Sequence, residues 1–404
     1  MSKFPPVKEQ MDLIQRGTTE IISEENLVKR LENSIYENKP LIVKLGCDPS
    51  RPDLHIGHSV VLKKLRHFQD LGHQSVLVIG DFTALIGDPS GRNKTRPNLT
   101  SDQVNKYAET YIDQAGRILN LKRLKIVRNS NWLGKLNFYD IIKLSSHYTV
   151  ARMLERDDFE QRYKNEVPIS IHEFLYPLAQ AMDSVELSAD IELGGTDQKF
   201  NLLVGRDLQK DYGQPQQIVI TTPLLEGTDG VRKMSKSYDN YIGISESPSE
   251  IYGKTMSISD NLIHRYFLFA TDVEEKKIND IEAKLINGET NPRDLKRELA
   301  RKIVEMYHNK ESAKNAEKYF DKIFLESEAP ENIKEWSAGT EAATILSIMC
   351  DSSLIPSKRE ARRLINQGAV SIDNNKINNI TEKIDLTHSV VLKVGKRRFL
   401  RIVS

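Results

Sequence analysis

Two short sequences carry the groups best suited to handling a phosphorylated substrate. His55-Ile56-Gly57-His58 sets two imidazoles three residues apart where a loop passes into a helical pattern, so both fall on one helix face beside its positive end. A helix N-terminus at the carboxyl end of a strand is where α/β sheets hold anions, and Gly57 lets another group approach the backbone closely. The plainer alternative is two surface histidines at a helix start. A zinc site is a third reading, disfavoured because no further His or Cys lies nearby at ligand spacing, and no protein-bound metal is expected. Lys233-Met234-Ser235-Lys236-Ser237 follows the turn-prone Gly227-Thr228-Asp229-Gly230 and reads either as a mobile loop bearing two ammonium groups or as ordinary solvated surface. If ATP reacts at its α-phosphorus, negative charge builds on the departing pyrophosphate, which histidine donors and loop lysines can neutralise.

Between these sequences, Tyr176, Gln180 and Asp183 stand at i, i+4 and i+7, one polar stripe amid Phe174, Leu175, Leu178, Ala179 and Met182. They could bond one another inside the protein or form one wall of a pocket. Pro177 removes one backbone donor from that helix and can kink it. Asp197, just past Gly194 and Gly195, could cap a helix or bond ribose hydroxyls where paired glycines permit close approach.

The elements that must position these residues read as α/β. Leu41 to Cys47 is an apolar, β-branched run ending in Gly46-Cys47-Asp48-Pro49-Ser50, followed by a helical pattern from His55 to Leu71 that Gly72 stops. Ser75 to Asp81 is a second strand, completing a β–α–β unit of a parallel sheet. Lys125 to Val127, Val185 to Leu193 and Gln217 to Thr221 read as further strands, so a Rossmann-like, doubly wound sheet is expected over residues 1–240. From Ser249 to about Leu325 the pattern is helical, broken near Gly288 to Pro292, which suggests an all-α domain over 241–330. Glu326 to Gly339 is a candidate linker into a small α+β module over 340–404.

A chain of 404 residues, 39% hydrophobic and 28% charged, suits a folded enzyme of two or three domains and excludes a peptide-sized binding module. With neither a signal-like apolar core nor a membrane-length apolar run, it is expected in the cytoplasm, away from membranes. Cys47 and Cys350 are too few for a disulfide framework. The net charge of +1 conceals a segregation: Ser357 to Ser404 holds eleven Lys/Arg against four Asp/Glu, net +7, leaving −6 for the rest. Pro356 followed by Ser357-Lys358-Arg359-Glu360 reads as a capping box opening a helix with Arg359, Arg362 and Arg363 on one face. With Lys396, Arg397, Arg398 and Arg401 beyond it, this end suits phosphates, or is simply a solvated basic domain.

Taken together and in this order, the His55 and Lys233 sequences resemble the paired signatures of class I aminoacyl-tRNA synthetases. The likeness continues through Gly87-Asp88-Pro89-Ser90-Gly91, the Tyr176/Gln180/Asp183 stripe and Gly194-Gly195-Thr196-Asp197-Gln198, and over nearly the whole chain it is similar to the bacterial tyrosyl-tRNA synthetases. The resemblance implies formation of an aminoacyl-adenylate from tyrosine and MgATP, then transfer to tRNA(Tyr). It implies catalysis by His55, His58, Lys233 and Lys236. Gly46, Asp48, Ser50, Gly195, Asp197 and Leu225 would lie with those histidines and Lys236 around ATP. Asp183 would meet the phenol, Asp88, Tyr176 and Gln180 the ammonium, and Gln198 the carboxylate. It further implies an RNA-binding tail, including Lys358, Arg359, Arg362, Arg363, Lys396, Arg397 and Arg398, and a C₂ homodimer joined through an insertion at about Asn120 to Ser170. Two positions depart: where much of the family has a tyrosine donating to the phenol, this chain has Lys44, which could donate to the phenol itself or pair with Asp183, or the substrate could shift, and Ser50 stands where the family often has threonine, which keeps a hydroxyl. The tryptophanyl branch shares fold and signatures, but Asp183 and the basic tail weigh against it. Intact signatures weigh against a non-catalytic RNA-binding paralogue.

Overall fold

A computed structural model of the chain describes residues 4–50, 52–88, 100–324, 334–337, 342–373, 375–395 and 398–403. Pro89, Ser90, Gly91, Lys396 and Arg397 lie outside the described residues. The chain forms two compact units, Met1–Asn309 and Lys310–Ser404.

The first unit is organised by a six-stranded sheet: β1 (Glu20–Ile22), β2 (Ile42–Cys47), β3 (Gln74–Ile79), β4 (Leu124–Arg128), β5 (Ile191–Gly195) and β6 (Ile218–Thr222). Their order is β1-β6-β5-β2-β3-β4, with β1 antiparallel to β6 and the other pairs parallel. Strands covered on both faces lose the polar alternation of half-buried ones, which is why β3 and β6 read as nearly continuous apolar runs. The chain winds outward from β2 through β3 to β4, then restarts on the other side of β2 with β5 and β6. The strand order therefore reverses between β2 and β5, and ligands of open α/β sheets bind outside the carboxyl ends at such a point. The loops leaving those two strands contain Asp48 and Asp197.

The helix after β2 spans Ile56–Asp70, with His55 at its N-cap. The helix Ile171–Leu187 retains Pro177 in its interior and opens on a Ser170/Glu173 capping arrangement, with the Ser170 N–H donating to Glu173 at 2.9 Å. The expected strand Val185 to Leu193 is divided. Val185 stays on the helix, buried beside Leu178, Ala181 and Met182 at helical spacing, Ser188 exits in the left-handed region (φ 46°, ψ 50°), and β5 starts only at Ile191.

The helical stretch consists of Pro248–Met256, Ile263–Ala270, Glu275–Ile286 and Pro292–Tyr307 in the first unit and Lys310–Phe324 in the second. Its break falls where expected, with Asn291 capping a helix whose first residue is Pro292. Among the described residues, no helix is long and apolar enough to cross a membrane.

In the second unit, β7 (Glu335–Ser337), β9 (Val370–Ile372), β10 (Asn375–Lys376), β12 (Val390–Val394) and β13 (Arg398–Val403) form a sheet ordered β10-β9-β12-β13-β7, while β8 (Ala342–Thr344) pairs with β11 (Lys383–Asp385). β7 falls within the segment read as a linker: it pairs in parallel with β13, and Trp336 packs on the apolar core that Ile345, Ile365, Leu392 and Ile402 build. Cross-strand pairing and the partial burial of an indole thus make an edge strand from a sequence whose acidic and small residues suggest a tether.

Candidate active site

A cleft of about 330 Å³ opens at the carboxyl ends of β2 and β5, and residues from both signature sequences line it, among them His55, His58, Lys233 and Met234. His58 Nδ1 accepts a hydrogen bond from the His55 backbone N–H at 3.1 Å. A backbone N–H can only donate, so the neutral ring carries its proton on Nε2 and can donate there. The two rings stack with centroids 3.7 Å apart. Burial, assisted by His58, Lys236 and Lys233, holds His55 well below the usual histidine range, and burial with the same lysines holds His58 down to about 4. Both are therefore neutral donors near pH 7, not cations. The buried Nδ1 of His55 has no hydrogen-bond partner among the described residues. Gly57 is needed close by, but for an unexpected neighbour: a Cβ there would lie 3.0 Å from the His55 ring itself.

The loop lysines are latched to the same region. Lys233 Nζ lies 2.8 Å from Asp197, and Lys236 Nζ lies 2.9 Å from Asp53 and 5.6 Å from the centre of the Tyr241 ring. Asp48 accepts from Thr83 at 2.7 Å and from the Tyr176 hydroxyl at 2.8 Å. Gly80 makes that arrangement possible, since a Cβ there would fall 2.0 Å from the Asp48 carboxylate. Gly46, Ser50, Gly195 and Leu225 complete the nucleotide-side residues expected from sequence, and all four line the cleft.

Tyr176, Gln180 and Asp183 also line it, aligned along the helix Ile171–Leu187 as their spacing predicts. Asp183 is 3% exposed and accepts from the Trp132 indole at 2.9 Å and from Asn129 Nδ2 at 3.4 Å. Burial pushes its carboxyl up to about 7, even though Lys44 and those donors favour the anion. Asp88 accepts from Gln198 at 3.1 Å and faces Arg156 at 3.4 Å, and Asp88 and Gln198 both line the cleft.

Lys44 takes a different place from either one expected. It is fully buried, its ammonium 3.0 Å from Glu192 and donating to the Gln180 carbonyl at 3.3 Å, and it is not among the lining residues. The parallel register places Lys44 beside Glu192, which offers the nearer carboxylate. Trp132, Asn129, Arg156, Asn201 and Glu192 were not singled out from the sequence. They come from separate segments, and only the folded sheet and helices bring them to the Tyr176 stripe.

In the second unit, Ser357 caps the helix Lys358–Asn366 by accepting from the Glu360 N–H at 3.3 Å, and Lys358, Arg359, Arg362 and Arg363 are exposed while Ala361 and Ile365 are buried. Arg363 is tied back to Glu360 at 2.5 Å and Gln367 at 2.9 Å. Arg398, also exposed, is near enough to contribute to lowering the Glu360 carboxyl, whose main cause is its bond with Arg363.

Residues 36–325 match the family described as tRNA synthetases class I (W and Y), and residues 326–402 match the tyrosine--tRNA ligase SYY-like C-terminal domain. A tyrosine--tRNA ligase of Carboxydothermus hydrogenoformans is 52% identical over 403 residues, spanning 98% of each chain, and one of Chlorobaculum tepidum is 50% identical over 400 residues, spanning 99% of this chain and 98% of that one. In fold, the chain resembles the crystal structure of an Archaeoglobus fulgidus tyrosyl-tRNA synthetase complexed with L-tyrosine, with a TM-score of 0.64 at 23% identity over 77% of this chain and 99% of that one.

Proposed function

From the premise that the chain belongs to the class I tRNA synthetases of the tryptophan and tyrosine group, we propose that it activates L-tyrosine with ATP and transfers the tyrosyl group to the 3′ end of tRNA(Tyr), releasing AMP and diphosphate. The observation that carries this reading is the convergence of His55, His58 and Lys233 with Asp183 on one cleft.

The tyrosine carboxylate attacks the α-phosphorus in line, and as an anion it needs no general base. Positioning and charge stabilisation supply the catalysis. Neutral His58 donates from Nε2, and Lys233 and Lys236 exchange Asp197 and Asp53 for the charge growing on the pyrophosphate. Magnesium enters with ATP as part of the substrate complex. Asp197 bonds the ribose hydroxyls, with Gly46, Asp48, Ser50, Gly195 and Leu225 around the nucleotide. At the amino-acid end, Asp183 accepts the phenol hydrogen while Asp88, Tyr176 and Gln180 hold the ammonium and Gln198 lies near the carboxylate. A site built around a hydroxyl rejects the analogue lacking it, because its own buried polar groups are left unpaired.

The exposed arginines of the helix Lys358–Asn366, with Arg398, supply phosphate contacts to tRNA. A homodimer is supported by six exposed apolar or aromatic side chains between 138 and 171. Exchange of labelled pyrophosphate into ATP, run separately with tyrosine, tryptophan and phenylalanine, tests the assignment. Tyrosine alone should support rapid exchange, and faster exchange with tryptophan would overturn it.

A further inference from the structure

Lys44 on β2 and Glu192 on β5 are register partners, 0% and 1% exposed, and their charged atoms are 3.0 Å apart. A buried ion pair is costly unless other hydrogen bonds complete it, and a well-packed apolar pair often stabilises as well or better. Here the completion is specific. Glu192 accepts from Lys44, from Gln180 Nε2 at 3.1 Å, from Ser184 Oγ at 3.1 Å and from Gln217 Nε2.

A carboxylate paired with an ammonium accepts and does not donate, so Gln180 must turn its NH₂ toward Glu192. The chain of bonds continues from the other end of that amide. Asn201 Nδ2 donates to Gln180 Oε1 at 2.9 Å, and Asn201 Oδ1 accepts from Arg156 at 3.0 Å. Guanidinium can only donate and carboxylate can only accept, so the direction Arg156→Asn201→Gln180→Glu192 is set at both ends. The Gln180 amide is left with one orientation, in which its remaining hydrogen-bonding capacity includes the second lone pair of Oε1. Lys44 additionally holds the Gln180 backbone carbonyl at 3.3 Å.

We propose that the buried Lys44–Glu192 pair is a positioning element for amino-acid recognition, locking the Gln180 amide so that its carbonyl oxygen is the acceptor offered to the substrate's ammonium group. This rests on the reading of the cleft as a tyrosine site. It gives Lys44 a part in recognition without contact with the substrate: it supplies the countercharge that lets Glu192 remain an acceptor in the protein interior.

Two variants of the full-length protein test it, with binding of L-tyrosine compared against 3-(4-hydroxyphenyl)propanoate, which lacks the ammonium. The exchange Lys44→Glu with Glu192→Lys keeps a buried pair but places a donor-only group against Gln180, forcing its amide to invert. The affinity for L-tyrosine relative to that for the desamino ligand should then fall about tenfold or more, since any change in phenol binding from losing the Lys44 ammonium near Asp183 acts on both ligands alike. Should that exchange not fold, Lys44→Met with Glu192→Leu removes both charges and should lower the same ratio at least threefold. Equal losses for both ligands would reveal a merely structural pair and overturn the proposal, as would wild-type L-tyrosine binding in a folded double variant. If the wild-type protein itself fails to bind L-tyrosine, the reading of the cleft falls instead.

Discussion

The Lys236 ammonium lies 2.9 Å from the carboxylate of Asp53, two residues before His55, so the loop bearing the second signature is latched to the segment that presents the first. The proposed role of Lys236 requires this latch to open, the ammonium exchanging one anionic partner for another. Lys236→Ala should slow tyrosyl-adenylate formation by roughly 10²-fold, with tyrosine binding little changed, because the lost interaction belongs to the transition state. Stopped-flow measurement of adenylate formation checks this, and a near-wild-type rate would remove Lys236 from the mechanism.

If Asp183 meets the phenol as proposed, recognition should be sensitive to pH. Its buried carboxyl titrates at about 7, and the anion is the form suited to accept a phenol hydrogen, so tyrosine affinity should fall as pH is lowered from 8 to 6. The stability effect has the opposite sense. An unfolded chain releases this proton near pH 4 on the reference scale, so between about 4 and 7 the folded state binds more protons than the unfolded one. The group's contribution to stability is therefore complete below pH about 4 and declines as pH rises through about 7. Asp183→Asn should flatten that part of the stability profile in urea titrations at pH 5 and pH 8, and should bind tyrosine weakly at both. A wild-type dissociation constant for tyrosine that stays flat from pH 6 to pH 8 would contradict this role.

What could be read from the sequence was what depends on local order. Strand β2, the helix it feeds, the Tyr176 stripe and the Ser357 cap follow from periodicity and capping chemistry within a few residues. The sequence misled at Val185, where an apolar stretch fits a helix face as well as a strand, and at Trp336, whose burial is decided by strands more than fifty residues further on. Lys44 was visible as a departure but its partner was not. Glu192 is one charged residue in an otherwise apolar strand, and only the register between β2 and β5 makes the two neighbours. The same holds for Trp132 and Asn129, which flank Asp183 from a separate segment of the chain.

At the basic end, the exposed Arg359 and Arg362 should act on RNA without affecting adenylate chemistry. Replacing both by Glu should leave tyrosine-dependent pyrophosphate exchange within about twofold of wild type while weakening tRNA binding, and the dependence of log affinity on log salt should become shallower by about two for two lost phosphate contacts. Filter-binding titrations between 50 and 200 mM salt give that slope. Unchanged tRNA affinity in the double variant would assign the RNA surface elsewhere.

Phe138 and Ile142 stand one turn apart on the helix Phe138–Ser145, 81% and 55% exposed, and Tyr139, Val150, Tyr163 and Ile171 are exposed nearby in sequence. Apolar side chains left in water at this density favour burial against a partner, and a two-fold axis would let the same surface serve both copies. Charge placed there cannot be buried without a counterion, so Phe138→Asp with Ile142→Asp should convert a dimer into monomers while leaving the far-ultraviolet circular dichroism of the subunit nearly unchanged, since neither side chain contributes to the subunit's core. Sedimentation velocity at micromolar concentration distinguishes the two states. A double variant that still sedimented as a dimer would mean the copies associate through a different face.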